Sequence, residues 1–101
     1  MTHTLRISLC LLGLVIAGCV SVDIAAPPVA SLPGGAADPI LIQGRRLYLG
    51  KCTRCHSPEP IKKYPWAQWQ AEILPDMVEE TGLSEGDAAA VAAYVKAVWG
   101  A

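Results

Sequence analysis

The sequence predicts a small all-α domain, on three observations. Residues 39–101 hold three stretches with apolar side chains at helical spacing, and no stretch alternates apolar and polar residues as a half-buried strand would. The whole chain is 101 residues, room for one small domain at most, and it has no internal repeat. The first helix is marked by Asp38-Pro39, an N-cap followed by proline at the first helical position. Ile40, Leu41, Gly44, Leu47 and Tyr48 then recur every three or four residues up to Gly50. The second helix spans roughly Pro65 to Leu74, with Trp66, Trp69 and Ile73 on one side. Pro75 either ends it or opens a further turn that contains Met77. The third is announced by Ser84 with Asp87, a capping box with Asp in place of Glu. Ala88, Val91, Ala92, Val95 and Val98 give it an apolar stripe that ends near Gly100.

The segment ahead of these helices has a different character. Hydrophobic residues make up 52% of the chain, but much of that apolar content sits in the first 20 residues. A short polar start with Arg6 precedes an apolar run from Ile7 to Ala17, which is too short to cross a bilayer. Residues 1–18 therefore fit a secretory signal peptide. Val20 to Asp38 holds Pro27, Pro28, Pro33 and the Gly34-Gly35 pair among mostly small residues, without periodicity. It is expected to be a flexible linker (19–38 with Cys19) that buries no core and reaches roughly 25 Å.

The globular part, 39–101, is about 63 residues. An apolar core of that size stabilises poorly without a staple. A large, flat, covalently held cofactor would supply the missing core.

Cys52-Thr53-Arg54-Cys55-His56 is a CxxCH pentapeptide, the signature of c-type haem attachment. Two thiols three positions apart on a helical turn share one face and match the two vinyl groups of haem. The adjacent histidine then presents its imidazole to the iron. A redox CxxC would need a strand–helix setting, of which the sequence has no sign. A zinc site would need a fourth ligand beyond Cys52, Cys55 and His56. A disulfide between the two cysteines remains open in an oxidising compartment. The sixth iron ligand follows by elimination. His3 and Met1 leave with the signal peptide, so the mature chain has one histidine, His56, and one methionine, Met77. Met77 is either that ligand or a gap-filling core residue. Met/His ligation raises the reduction potential and suits electron transfer.

Two resemblances add to this reading. Ile16-Ala17-Gly18-Cys19 resembles the lipobox of bacterial lipoproteins, which implies cleavage before Cys19 and lipidation of its thiol. Val20 after it looks like the outer-membrane sorting choice. The alternative is an ordinary signal peptide with an incidental cysteine. Gly44-x-x-Leu47-Tyr48-x-x-x-Cys52-x-x-Cys55-His56, with Gly82-Leu83-Ser84 and Val91-Ala92-Ala93-Tyr94-Val95, resembles the cytochrome c family from about Asp38 onward. That implies about three helices around one covalent haem c, with Gly44 and Tyr48 of the first helix against Tyr94 of the last. The departure is the short span of 21 residues from His56 to Met77, so the long methionine loop of the mitochondrial type is absent.

The implied function is single-electron transfer between redox partner proteins at the periplasmic side of a membrane, anchored there through Cys19. The alternative is a haem-based ligand binder, sensor or peroxidase-like enzyme with an open iron position. No distal histidine, carboxylate pair or activated nucleophile points to an enzyme or a small-molecule substrate. The mature chain carries seven Lys/Arg against nine Asp/Glu, which gives no case for nucleic-acid binding. The charges are segregated: basic residues from Arg45 to Lys63, acidic ones from Glu72 to Asp87.

Overall fold

The computed structural model describes residues 21–53 and 58–101. Among these residues the chain is all-α, without strands. A short helix α1 (Ser21–Ala25) opens an arm that continues through single 3₁₀ turns at Val29–Ser31 and Gly35–Ala37. Helix α2 (Pro39–Leu47) runs on without a break into a π-helical turn, Tyr48–Cys52. After a 3₁₀ turn at Ile61–Lys63 comes the single turn α3 (Trp66–Gln68). A second π-helical turn, Trp69–Ile73, joins it to α4 (Leu74–Thr81). The last helix, α5, spans Glu85–Gly100. Among the described residues no helix is long and apolar enough to cross a membrane.

The expected caps are present. Ile40 N–H donates to Asp38 Oδ1 at 2.9 Å, and Asp87 N–H donates to Ser84 Oγ at 3.2 Å. The Asp87 carboxylate is engaged across the fold, where Gln43 Nε2 of α2 donates to it at 2.8 Å. Helix α4 stops at Gly82, whose φ of 67° is the left-handed conformation that glycine adopts without a Cβ clash. Pro75 does not end the second helix; it lies in the first turn of α4. Proline's ring crowds the carbonyl four residues earlier, and the wider π turn immediately upstream relieves that clash.

Helices α2 and α5 make the principal interface. They approach so closely at Gly44 that a Cβ there would overlap the Ala90 carbonyl oxygen and lie 2.8 Å from Tyr94 Cβ. Tyr48, one turn on, sits with its ring centroid 6.1 Å from Tyr94 and 6.3 Å from Trp69, both at tilted angles. Tyr48, Tyr94, Ile61, Val91 and Val95 are fully buried, and Trp69, Leu74, Leu83 and Val98 pack around them.

The arm overturns one expectation. Residues 21–38 were expected to be a tether that buries no core; they lie docked on the helical domain. Ala25, Ala26, Val29 and Leu32 are buried, three of them within the main core cluster. Tyr94 Oη, at the centre of α5, donates to the Pro27 carbonyl at 2.7 Å. Arg45 of α2 donates to the Ala26 carbonyl through Nε (3.2 Å) and Nη2 (3.1 Å), and Nη2 also pairs with Asp23 at 3.1 Å. The physical reason is that small residues let the arm's backbone come close enough for its carbonyls to accept hydrogen bonds from buried donors. Composition alone does not reveal such contacts.

Candidate functional site

An apolar recess lies where α2, the loop 59–65 and the α3–α4 rod meet. It encloses about 490 Å³, within the range of small-molecule and cofactor sites. Tyr48, Trp69, Ile73 and Met77 supply its apolar wall, and Glu59, Tyr64, Gln68, Glu72 and Asp76 its polar side.

Each wall residue is aimed by a specific local feature. Tyr48 begins the first π turn and Trp69 begins the second, so both rings project from places where the helix is widened by one residue. The Trp69 indole N–H donates to the Ile61 carbonyl at 2.8 Å, which ties the α3 side of the recess to the loop opposite. That N–H is therefore committed to the fold, not presented to a ligand. Trp99 of α5 donates likewise to the Tyr64 carbonyl at 2.8 Å. Trp66 is only half-buried, packs against the core and does not line the recess. Met77 is half-buried on α4 with its side chain in the wall, and its carbonyl accepts from Thr81 Oγ1 at 2.6 Å.

Cys52 ends the first π turn, one turn beyond Tyr48. Its thiol is free and buried, and burial pushes its pKa up, which keeps it neutral. Thr53 after it donates from Oγ1 to the Leu49 carbonyl at 3.0 Å and so closes the helix. Burial, seconded by the nearby Tyr94, Cys52 and Glu59, pushes Tyr48 up to about 12. At the rim, Tyr64 Oη donates to Glu59 Oε2 at 2.6 Å, and this bond holds the Tyr64 phenol above its ordinary pKa. Lys63 Nζ pairs with the same carboxylate at 3.5 Å and lies 5.6 Å from the Tyr64 ring centroid.

Of the residues singled out in the sequence, the structure brings Cys52, Tyr48 and Met77 to one region. Cys55, His56 and Cys19 lie outside the described residues, as do Arg54 and residues 1–18, the expected signal peptide. Among the described residues no three His, Cys, Asp or Glu side chains cluster as a metal site. The sequence reading missed Glu59, Tyr64 and Gln68. Their one signal was the spacing of Pro58, Pro60 and Pro65, which marks a loop long enough to form a wall.

No protein-family model, curated protein or solved structure matches this chain.

Proposed function

We propose that the protein is a membrane-anchored, monohaem c-type cytochrome that carries single electrons between redox partners on the periplasmic side of a bacterial membrane. The observation that carries this reading is the position of the apolar recess. The helix that supplies Tyr48 to it ends at Cys52, the first cysteine of the CxxCH, and the mature chain's one methionine stands in its wall.

The residues present fit a haem. A flat macrocycle needs an apolar, partly aromatic slot, and Tyr48, Trp69 and Ile73 form one. A six-coordinate iron would need a second axial ligand beside His56, and Met77, which could supply a thioether, is in the wall. Cys52 and Cys55 would carry the thioether links, and His56 and Met77 would ligate the iron. When bound, the haem supplies a ferric–ferrous couple. The chain's own contribution is to hold the slot rigid. The hydrogen bonds from Trp69 to Ile61 and from Trp99 to Tyr64 fix both sides, so little rearrangement accompanies a change of charge inside. The close crossing at Gly44 and the Tyr48–Tyr94 contact add support, since they are the helix pairing that the cytochrome c resemblance implies. Lipidation of Cys19, with the outer membrane favoured by Val20, belongs to the same proposal.

The test is the absorption spectrum and mass of the protein exported alongside the haem-attachment machinery. Parent protein should show one added haem mass and a six-coordinate spectrum that resists carbon monoxide when ferrous. Met77→Ala should keep the mass, lose that spectrum and bind carbon monoxide rapidly. An unchanged mutant spectrum removes Met77 from the iron. No added mass on the parent, where a control cytochrome acquires it, ends the reading.

A further inference from the structure

Among the described residues three carboxylates edge the recess, Glu59, Glu72 and Asp76, and they are not held alike. Glu72 and Asp76 are exposed and make no hydrogen bond or ion pair among the described residues, so their charges are free to swing into water. Glu59 is held. Tyr64 Oη donates to its Oε2 at 2.6 Å, and Lys63 Nζ pairs with the same oxygen at 3.5 Å. Tyr64 is fixed in turn, because its carbonyl accepts from Trp99 Nε1 of α5 at 2.8 Å. Glu59 also stands between Pro58 and Pro60, and a residue before proline is restricted to extended backbone. Lys63 does not cancel the charge of Glu59 at the recess. Its side chain is the more exposed of the two (55% against 47%), and it does not line the cavity.

We propose that Tyr64 is a positioning residue that holds the Glu59 carboxylate at the recess as a fixed negative charge, and that this charge favours the oxidised state of the group bound there. The inference rests on the haem reading above. Ferric iron carries one positive charge more than ferrous, so a fixed anion beside it stabilises the ferric form. Glu59 thereby opposes the rise in potential that thioether ligation brings. No bond forms or breaks at Glu59 or Tyr64; the electron comes from one redox partner and leaves to the other. The Glu59 side chain is 47% exposed, so water screens much of the effect. Loss of its charge should move the ferric–ferrous equilibrium about threefold toward ferrous, which is about 28 mV at 59 mV per tenfold for one electron.

Glu59→Gln is the informative substitution, because the amide oxygen still accepts from Tyr64 while the charge is gone. Redox titration of the haem-loaded protein should place its potential about 28 mV above that of the parent. Glu72→Gln, which removes an unheld charge from the same lining, should give a clearly smaller rise. Tyr64→Phe keeps the charge and removes its tether, and should also raise the potential by less than Glu59→Gln; circular dichroism checks the folding of each. A second readout does not involve the iron's potential. The Tyr64 phenol, followed by NMR of labelled tyrosine in the ferrous protein, should titrate nearer its ordinary value in Glu59→Gln than in the parent, since the neighbouring carboxylate holds it up. A parent without added haem mass fails the underlying reading and the inference with it. A loaded protein in which Glu59→Gln moves the potential no further than Glu72→Gln overturns the inference alone. So does a Tyr64 phenol that Glu59→Gln leaves unmoved, because the tether would then be absent in solution.

Discussion

Gly44→Ala tests the helix crossing on which the fold turns. Two effects oppose each other at this position. Alanine is favoured over glycine within a helix by about 1 kcal/mol. The added Cβ, however, would overlap the Ala90 carbonyl oxygen and lie 2.8 Å from both the Ala90 carbonyl carbon and Tyr94 Cβ. Restoring an ordinary 3.4 Å contact to those two carbons alone requires α2 and α5 to part by about 0.6 Å, and the oxygen demands more. The Ala90 atoms are backbone, so no rotamer change relieves them. Overpacking of a tight core costs about 1–3 kcal/mol, and at the principal interface the upper value applies. The net loss is therefore about 2 kcal/mol, or about 10 °C in Tm for a domain this small. Gly86→Ala is the internal control. It lies in the first turn of α5 with open space around its Cβ, and should raise stability by up to about 1 kcal/mol. Thermal and denaturant unfolding of both variants gives the answer. If Gly44→Ala stabilises as Gly86→Ala does, the two helices are not in contact there and the account of the core is wrong.

Three further outcomes are expected. Tyr94→Phe leaves the Pro27 carbonyl without its 2.7 Å donor, so the chain should lose about 1 kcal/mol and amide exchange should rise across 24–32 while 91–98 stays protected; unchanged exchange in the arm would show that this bond does not hold it. Trp69→Phe leaves the Ile61 carbonyl unpaired, with an expected cost of about 1–3 kcal/mol and faster exchange in 59–65, and equal exchange in both proteins would refute the tie across the recess. Burial raises Tyr48 and Tyr94 from the ordinary 10.0 to about 12, so the folded state keeps both phenols neutral where the unfolded chain would ionise them. Their contribution is then complete below pH 10 and is lost as pH climbs from 10 to 12. Denaturant midpoints that stay level across that window would contradict their burial.

The sequence disclosed those parts of the fold that side-chain chemistry governs locally. Asp38-Pro39 and Ser84 start helices because an oxygen at the N-cap meets an orphan N–H, and both do so here. Tyr48 follows the helical register that Asp38-Pro39 starts, and its ring meets Tyr94 of the last helix, the pairing that the resemblance implies. What stayed hidden is carried by the backbone. The arm is held by the carbonyls of Ala26 and Pro27, groups that every residue has, so no residue pattern marks them as acceptors. The π turns are equally silent, since a bond to the fifth residue instead of the fourth leaves no trace in composition. Pro75 was ambiguous for the same reason: whether proline ends a helix depends on the width of the turn before it. The loop residues Glu59 and Tyr64 follow no period, and their loop is tied to the helices by the tertiary bonds of Ile61 to Trp69 and of Tyr64 to Trp99.

A π turn is a helix that has accepted one surplus residue, and the described residues hold two, each with an aromatic wall residue at its start. Descent can add or delete such a residue in a single event. Removing one would leave a regular helix, rotated by about 100° beyond the deletion. The bearing of Tyr48 relative to Cys52, or of Trp69 relative to Met77, is thus adjustable by indel without redesign of either helix. Relatives whose slot is turned differently should be recognised by a gap of one at these two places before they are recognised by any residue identity.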